Sequence, residues 1–234
     1  MIDFHSHILP SIDDGSRNVS ESLLLLSKLR EQQVTTVVAT PHFYANEQSV
    51  DTFLKRRQRA YESLLEVSGA DDVPNFYLGA EVLYYSGISR LDGLSRLCIQ
   101  GTRLLLLEMP MTRWTTSVVQ EVLEIVNNLN LTVVLAHIER YIKWQKPEVF
   151  DLLRNNGVIM QVNASYFIER LTRRLALRQL GRGEIQLLGS DCHRMDARPP
   201  RLGEAAAIIR RKYGDELLDV LHTYANDLLT LYTI

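Results

Sequence analysis

Residues 3–7 read Asp3-Phe4-His5-Ser6-His7, and residues 13–15 read Asp13-Asp14-Gly15. An apolar strand that ends in two histidines one residue apart turns both imidazoles the same way, so both can reach one metal ion. Imidazole suits Zn, Fe and Mn, and added carboxylates shift the choice toward harder ions. A His-x-His pair alone says little, because paired surface histidines without a role are common. Its meaning comes from the rest of the chain, where the same residue types recur at the ends of successive strands.

Short apolar runs rich in β-branched residues or leucine predict strands over Ile2–His5, Thr36–Thr40, Phe76–Ala80, Arg103–Leu107, Thr132–Ala136, Val158–Val162 and Gln186–Gly189. Helical patterns lie between most of them. Asn18 and Glu21 have the spacing of a capping box for a helix to about Gln32. Val50–Val67 predicts a second helix, with Phe53, Tyr61, Leu64 and Leu65 on one side and Lys55, Arg56, Arg57 and Arg59 largely outside. Trp114–Leu129 is a third. Pro147 opens Pro147–Asn156, where a first-turn proline is tolerated, Pro199-Pro200 opens a helix to about Tyr213, and Asp215–Tyr224 closes the fold.

Strands alternating with helices imply a mainly parallel sheet, either doubly wound or closed into a barrel. No repeat, low-complexity tract or linker divides the chain, so residues 1–234 are expected to form one domain. The polar residues select the barrel. His7 follows the first strand, His42 the second and Glu81 the third; Glu108 ends the fourth, His137 follows the fifth and Asp191 the seventh. A barrel gathers all these C-terminal strand ends on one face, the usual place of an active site. An open sheet would spread them along an edge.

Bulk properties narrow the function. With 46% hydrophobic and 23% charged residues the chain has the balance of an ordinary globular protein. A formal charge of −2 lacks the basic excess of a nucleic-acid binder. No apolar run approaches the ~20 residues of a membrane span, so no membrane insertion is expected. A strand beginning at Ile2 leaves no room for a signal peptide, and Cys98 and Cys192 are too few for a disulfide framework; the expected compartment is the cytoplasm.

The candidate ligands are His5, His7, Asp14, His42, Glu81, Glu108, His137, Asp191 and His193, which include five of the six histidines; only His222, on a terminal helix, lies outside. One histidine at a strand end is most often structural, but six strand ends behaving alike are not coincidence. Nine N and O donors suggest two or three ions sharing carboxylates. Such a cluster suits hydrolysis of a phosphate ester, because metals supply hydroxide at neutral pH and neutralise phosphoryl charge. Arg140 and Arg198, on the loops after the fifth and seventh strands, are expected to hold the phosphoryl oxygens bidentately.

Together, His5-x-His7, Asp13-Asp14-Gly15, Thr40-Pro41-His42-Phe43, Ala80-Glu81, Glu108, Ala136-His137-Ile138-Glu139-Arg140-Tyr141 and Ser190-Asp191-x-His193 resemble the polymerase-and-histidinol-phosphatase (PHP) superfamily. Within it the chain resembles the manganese-dependent protein-tyrosine phosphatases of bacterial capsule and exopolysaccharide clusters, from the first residue to about Tyr213. The resemblance implies a distorted seven-stranded (β/α)7 barrel and a trinuclear site. One metal would take His5, His7, Glu81 and Asp191, a second Glu81, Glu108 and His137, and a third Asp14, His42 and His193. It implies two or three Mn2+ ions, with Fe or Zn also compatible with these ligand types. The implied substrate is the phosphotyrosine-rich tail of a partner bacterial tyrosine kinase that controls polysaccharide export.

Several rivals are readable in the same residues. Cys192 and Arg198 have the Cys-x5-Arg spacing of cysteine-nucleophile phosphatases, but the loop between them has no glycine to let amides converge, and Asp191 disfavours a thiolate. Amidohydrolase barrels also start with His-x-His, yet many need a strand-four lysine, where this chain has Glu108. Histidinol-phosphate phosphatase, of the same superfamily, is a closer alternative, and a non-catalytic metal-binding kinase regulator is another. The basic faces Lys55–Arg59 and Arg170–Arg182 could attract an acidic tail, although ordinary solvated helices have the same composition.

Overall fold

The structure, a computed structural model, describes residues 1–68 and 74–230; residues 69–73 and 231–234 of the expected domain lie outside the described residues. The chain runs β1 (Ile2–Ser6), α1 (Val19–Glu31), β2 (Thr36–Ala39), β3 (His42–Phe43), α2 (Val50–Ser68), β4 (Asn75–Leu78), β5 (Glu81–Leu83), β6 (Leu104–Glu108), α3 (Thr116–Asn128) and β7 (Thr132–Leu135). It continues with α4 (Pro147–Asn155), β8 (Ile159–Asn163), α5 (Ala164–Ile168), α6 (Arg173–Gly181), β9 (Leu187–Gly189), α7 (Leu202–Tyr213) and α8 (Asp215–Thr230). Each of the seven expected strands has a counterpart, and all pairing is parallel.

The expected closed seven-stranded barrel is corrected. The strands form a three-stranded sheet, β1-β2-β4, and a curled six-stranded sheet, β3-β5-β6-β7-β8-β9. The ladder breaks between β2 and β3 at Thr40-Pro41, because proline has no N–H to continue it. It breaks again at Gly79-Ala80, and the register of β1 shifts between Asp3 and Ser6. Where β9 comes beside β1, the link is one isolated bridge, Ser6 to Cys192, with Asp191 N donating to His5 O and His7 N to Cys192 O, both at 2.8 Å.

Strand faces follow the period of two. Leu105 and Leu107 of β6 join the hydrophobic cluster shared with the helices, whereas Leu104 and Leu106 join a second cluster with Phe4, Val38, Val134, Ala136, Ile159 and Leu187. Burial on both faces explains why these strands read as continuous apolar runs. Ala225, Leu228 and Leu229 of α8 complete the second cluster beside Ile2, so α8 plugs the end where strands begin, opposite the candidate site. The count of two carries 104-106 on to Glu108, and 159 on to Gln161 and Asn163, at the other end.

The first helix is capped as expected by Asn18, whose Oδ1 accepts from Glu21 N at 2.9 Å; the Glu21 carboxylate reaches back to Arg17 N at 2.9 Å, one residue short of a closed box. The basic face of α2 lies outside at Lys55, Arg56 and Arg59 and is corrected at Arg57. Arg57 is buried, donating to Gly79 O at 2.6 Å, and burial lowers its pKa to about 10. Arg56 is tied to Ile12 O and Gln48. Arg57 thus braces the turn between β4 and β5, and Arg56 the loop after β1. On α6, Arg173 is likewise spent on Phe167 O and Ile168 O. No helix among the described residues is long and apolar enough to cross a membrane.

Candidate metal centre

The nine expected ligands converge. His7, Asp14, His42 and His193 form one group, His5, His7 and Glu81 a second, and His42, Glu81 and Glu108 a third, with ligand atoms inside each group no more than 4.8 Å apart. His137 Nε2 adds to the third, 2.7 Å from Glu81 Oε1 and 3.6 Å from Glu108 Oε1. Asp191 Oδ1 lies 3.7 Å from His5 Nε2, 3.5 Å from His7 Nε2 and 3.6 Å from His193 Nδ1. The groups differ from the expected sets at two histidines: His7 also stands with Asp14, His42 and His193, and His42 also stands with Glu81 and Glu108, 3.0 Å from Glu81 Oε2.

Backbone strain aims two of these side chains. His137 and Asp191 both have left-handed backbone, at φ of 33° and 51°. The cost is offset locally: His137 N donates to Gln161 Oε1 at 2.7 Å, and Asp191 N to His5 O. Gly189 makes room for His5, since a methyl there would come 2.5 Å from His5 Cβ.

Three histidines have their tautomers set by oxygen acceptors. His7 Nδ1 faces Asp13 Oδ2 at 2.8 Å, His193 Nδ1 faces Asp191 O at 2.9 Å, and His5 Nδ1 faces Gln161 Oε1 at 3.3 Å. An acceptor at Nδ1 puts the proton there and leaves the Nε2 lone pair pointing inward. His5 Nε2 and His7 Nε2 then lie 3.1 Å apart, both 3.2 Å from Glu81 Oε2. Glu81 Oε2 and His42 Nδ1 are buried without a hydrogen bond. Imidazole nitrogens crowded around a buried carboxylate oxygen suit a cation between them. The donor set of imidazole and carboxylate fits divalent ions.

The electrostatics agree. Burial opposes ionisation of Glu81, but the His5, His137 and His42 imidazoles outweigh it and hold its pKa well below the usual carboxylate range. Burial likewise opposes charge on His7, while Asp13 and Glu81 raise its pKa well above normal. Burial and the neighbouring His7 push His193 down to about 4. Glu108 moves up through burial and the Glu81 charge. A compact group of carboxylates and imidazoles that pull one another this far is the environment a multivalent cation relieves.

Both expected arginines reach the cluster through Asp191. Arg140 Nη2 and Arg198 Nη1 donate to the same Oδ2, the latter at 3.0 Å, and Asn163 Nδ2 adds a third bond at 2.8 Å. Asp191 thus turns one oxygen to cations of the protein and the other to the imidazoles. The depth of the site is graded: His5 and His7 side chains are 0% exposed, Arg140 31%, Arg198 47% and Asp14 71%, so the arginines and Asp14 mark its mouth.

Sequence reasoning missed the supporting shell. Asp13, Gln161, Asn163 and Tyr141 each bond a candidate ligand, Tyr141 through its hydroxyl 3.1 Å from His137 Nδ1. A signal existed for two of them, since Gln161 and Asn163 are polar residues at period two in an otherwise apolar strand. Cys192 is excluded as a nucleophile by position: it is fully buried in the hydrophobic core, and burial together with Asp3 raises its thiol pKa well above normal.

The sequence is 32% identical over 231 residues to the tyrosine-protein phosphatase CpsB of Streptococcus pneumoniae, covering 92% of this chain and 91% of the relative. It is 26% identical over 245 residues to the tyrosine-protein phosphatase YwqE of Bacillus subtilis (strain 168), covering 100% and 93%. A crystal structure reported for YwqE and CpsB, described as unique metal-dependent tyrosine phosphatases, has the same fold, with a TM-score of 0.83 over 98% of this chain and 94% of that one at 23% identity. Histidinol phosphate phosphatase from Lactococcus lactis shares the fold more distantly, with a TM-score of 0.56, 14% identity and coverage of 90% and 92%. The family described as capsular polysaccharide synthesis, CpsB/CapC, matches residues 1–230. This chain belongs to the CpsB/CapC family.

Proposed function

We propose that the chain is a metal-dependent protein-tyrosine phosphatase, working as one domain, with His5, His7, Asp14, His42, Glu81, Glu108, His137, Asp191 and His193 as ligands of two or three divalent ions. The observation that carries this reading is the inward convergence of the His5, His7 and His42 ring nitrogens on Glu81 Oε2, which is buried at 3.0–3.2 Å from each of them. When bound, the ions supply a hydroxide nucleophile at neutral pH and neutralise charge on the phosphoryl oxygens. The chain's residues do the rest. Asp13, Gln161 and the Asp191 carbonyl fix the proton on Nδ1 of three imidazoles. Asp191 anchors Arg140 and Arg198 at the mouth, where their remaining N–H groups bind and orient the phosphoryl group.

Mn2+ is the proposed metal, and the proposed substrate is phosphotyrosine on a bacterial tyrosine kinase that regulates capsule or exopolysaccharide synthesis. Both extend the family relationship, and the wide exposure of Asp14 and Arg198 suits a phosphate carried on a protein. The proposed compartment is the cytoplasm. Chelator should abolish turnover of a phosphotyrosine peptide and added Mn2+ should restore it, while Cys192→Ser retains most activity. Turnover of histidinol phosphate with none of the peptide would transfer the assignment to the small-molecule phosphatases. Loss of activity in Cys192→Ser with intact metal content and fold would return the cysteine mechanism.

A further inference from the structure

Tyr44 stands just past β3, and its ring stacks on His42 with centroids 5.3 Å apart and planes 19° from parallel. Its backbone is held in a turn, the carbonyl accepting from Glu47 N at 3.0 Å and Gln48 N at 3.3 Å. The ring has no role in the core. Among the described residues the other partly buried tyrosines, Tyr61, Tyr77, Tyr84, Tyr85 and Tyr213, pack against a hydrophobic cluster, and Tyr44 does not. Its hydroxyl makes no hydrogen bond within the described residues, although burial and the carboxylates of Glu108, Glu81 and Asp14 act on it. A half-buried aromatic ring therefore lines the open side of the candidate centre, beside His42 and the exposed Asp14.

We propose that Tyr44 is the wall on which the aryl ring of a phosphotyrosine rests, and so a specificity-determining residue that favours aryl over alkyl phosphates. The proposal rests on the phosphatase reading above. An ion-binding cluster and two arginines recognise a phosphoryl group whatever carries it, so selectivity for an aryl ester needs a contact to the ring. The π-face of a phosphotyrosine stacks offset or edge-on against another aromatic ring, and Tyr44 offers such a ring beside the candidate ligands His42 and Asp14. His42 behind Tyr44 keeps the wall fixed, which limits the ordering cost on binding.

The test compares binding of phenylphosphonate and methylphosphonate to the metal-loaded protein by titration calorimetry, for the wild type, Tyr44→Phe and Tyr44→Ala. Tyr44→Ala should lose about two- to tenfold of the preference for phenylphosphonate, with methylphosphonate affinity and metal content unchanged. Tyr44→Phe should keep the preference, since the ring is retained. An unchanged preference in Tyr44→Ala overturns the proposal, as does equal weakening of both ligands together with metal loss, which would make the residue a support for His42. Equal loss in Tyr44→Phe also overturns it, by placing recognition in the hydroxyl. Phosphotyrosine-peptide turnover by the wild type reports separately on the phosphatase reading.

Discussion

Nδ1 of His7 lies 2.8 Å from Oδ2 of Asp13, and that carboxylate also accepts His42 N at 3.0 Å and Gly15 N at 3.0 Å. Asp13 therefore joins the loop after β1 to two candidate ligands without being one of the nine itself. Asp13→Ala should weaken metal binding roughly 10- to 100-fold, and Asp13→Asn less, because an amide oxygen can still accept from Nδ1. A competition titration with a metal-sensitive dye checks the order; equal affinity in all three proteins would rule out the support role.

The same pair makes a pH prediction for the metal-free protein. Burial opposes the Asp13 charge, but His7 and the backbone donors lower its pKa from 3.8 to about 2. A folded pKa below the unfolded one means that the stabilisation is present above 3.8 and is lost as pH falls through 2. The contribution is about 2 kcal/mol. Denaturant melts of wild type and Asp13→Asn should differ above pH 4 and converge toward pH 2.

Glu81 touches four imidazoles, with His5, His7 and His42 at 3.2, 3.2 and 3.0 Å from Oε2 and His137 at 2.7 Å from Oε1. Glu81→Ala should therefore lower occupancy of more than one ion, whereas His42→Ala should remove chiefly one. Elemental analysis of the purified variants decides it. Full stoichiometry in Glu81→Ala would refute the bridging role.

Arg140→Ala should slow turnover by roughly a hundredfold with metal content unchanged, and Arg140→Lys should rescue only in part, because an ammonium cannot make the planar two-bonded contact. Arg198→Ala should act in the same direction. Both guanidinium groups bond one oxygen of Asp191, so the double variant should lose less than the product of the single effects. Kinetic constants with metal content for the three variants give the answer, and near-wild-type turnover in Arg140→Ala would remove this arginine from the site.

Gly189→Ala tests the packing beneath the centre. The added methyl would meet His5 Cβ at 2.5 Å and Gln161 Nε2 at 2.7 Å, and neither can retreat from the buried cluster. A cost of about 1–3 kcal/mol is expected, together with lower metal occupancy as His5 shifts. Thermal melts and metal analysis on one preparation report both effects; an unchanged melt and full occupancy would show that β9 can move away from β1.

The sequence by itself determined which residues meet. Strand alternation and the placement of a polar residue after each apolar run put His7, His42, Glu81, Glu108, His137 and Asp191 at C-terminal strand ends, and parallel strands gather such ends whatever the details of closure. Tertiary structure decided the rest. Whether the strands close depends on individual N–H groups, and Pro41 and the shifted register of β1 leave two sheets instead of a closed barrel. Arg57 reads as one more charge on a basic helix, but its burial is set by the Gly79 carbonyl, in the turn between β4 and β5. The role of α8 is invisible to its own pattern, since the cluster it completes is built by residues from strands β1, β2, β6, β7, β8 and β9. Proton placement on His5, His7 and His193 is fixed by oxygens on Gln161, Asp13 and Asp191, and for His5 that partner is 156 residues away. Local pattern encodes the face a side chain takes; hydrogen-bond partners across the fold decide what its atoms can do there.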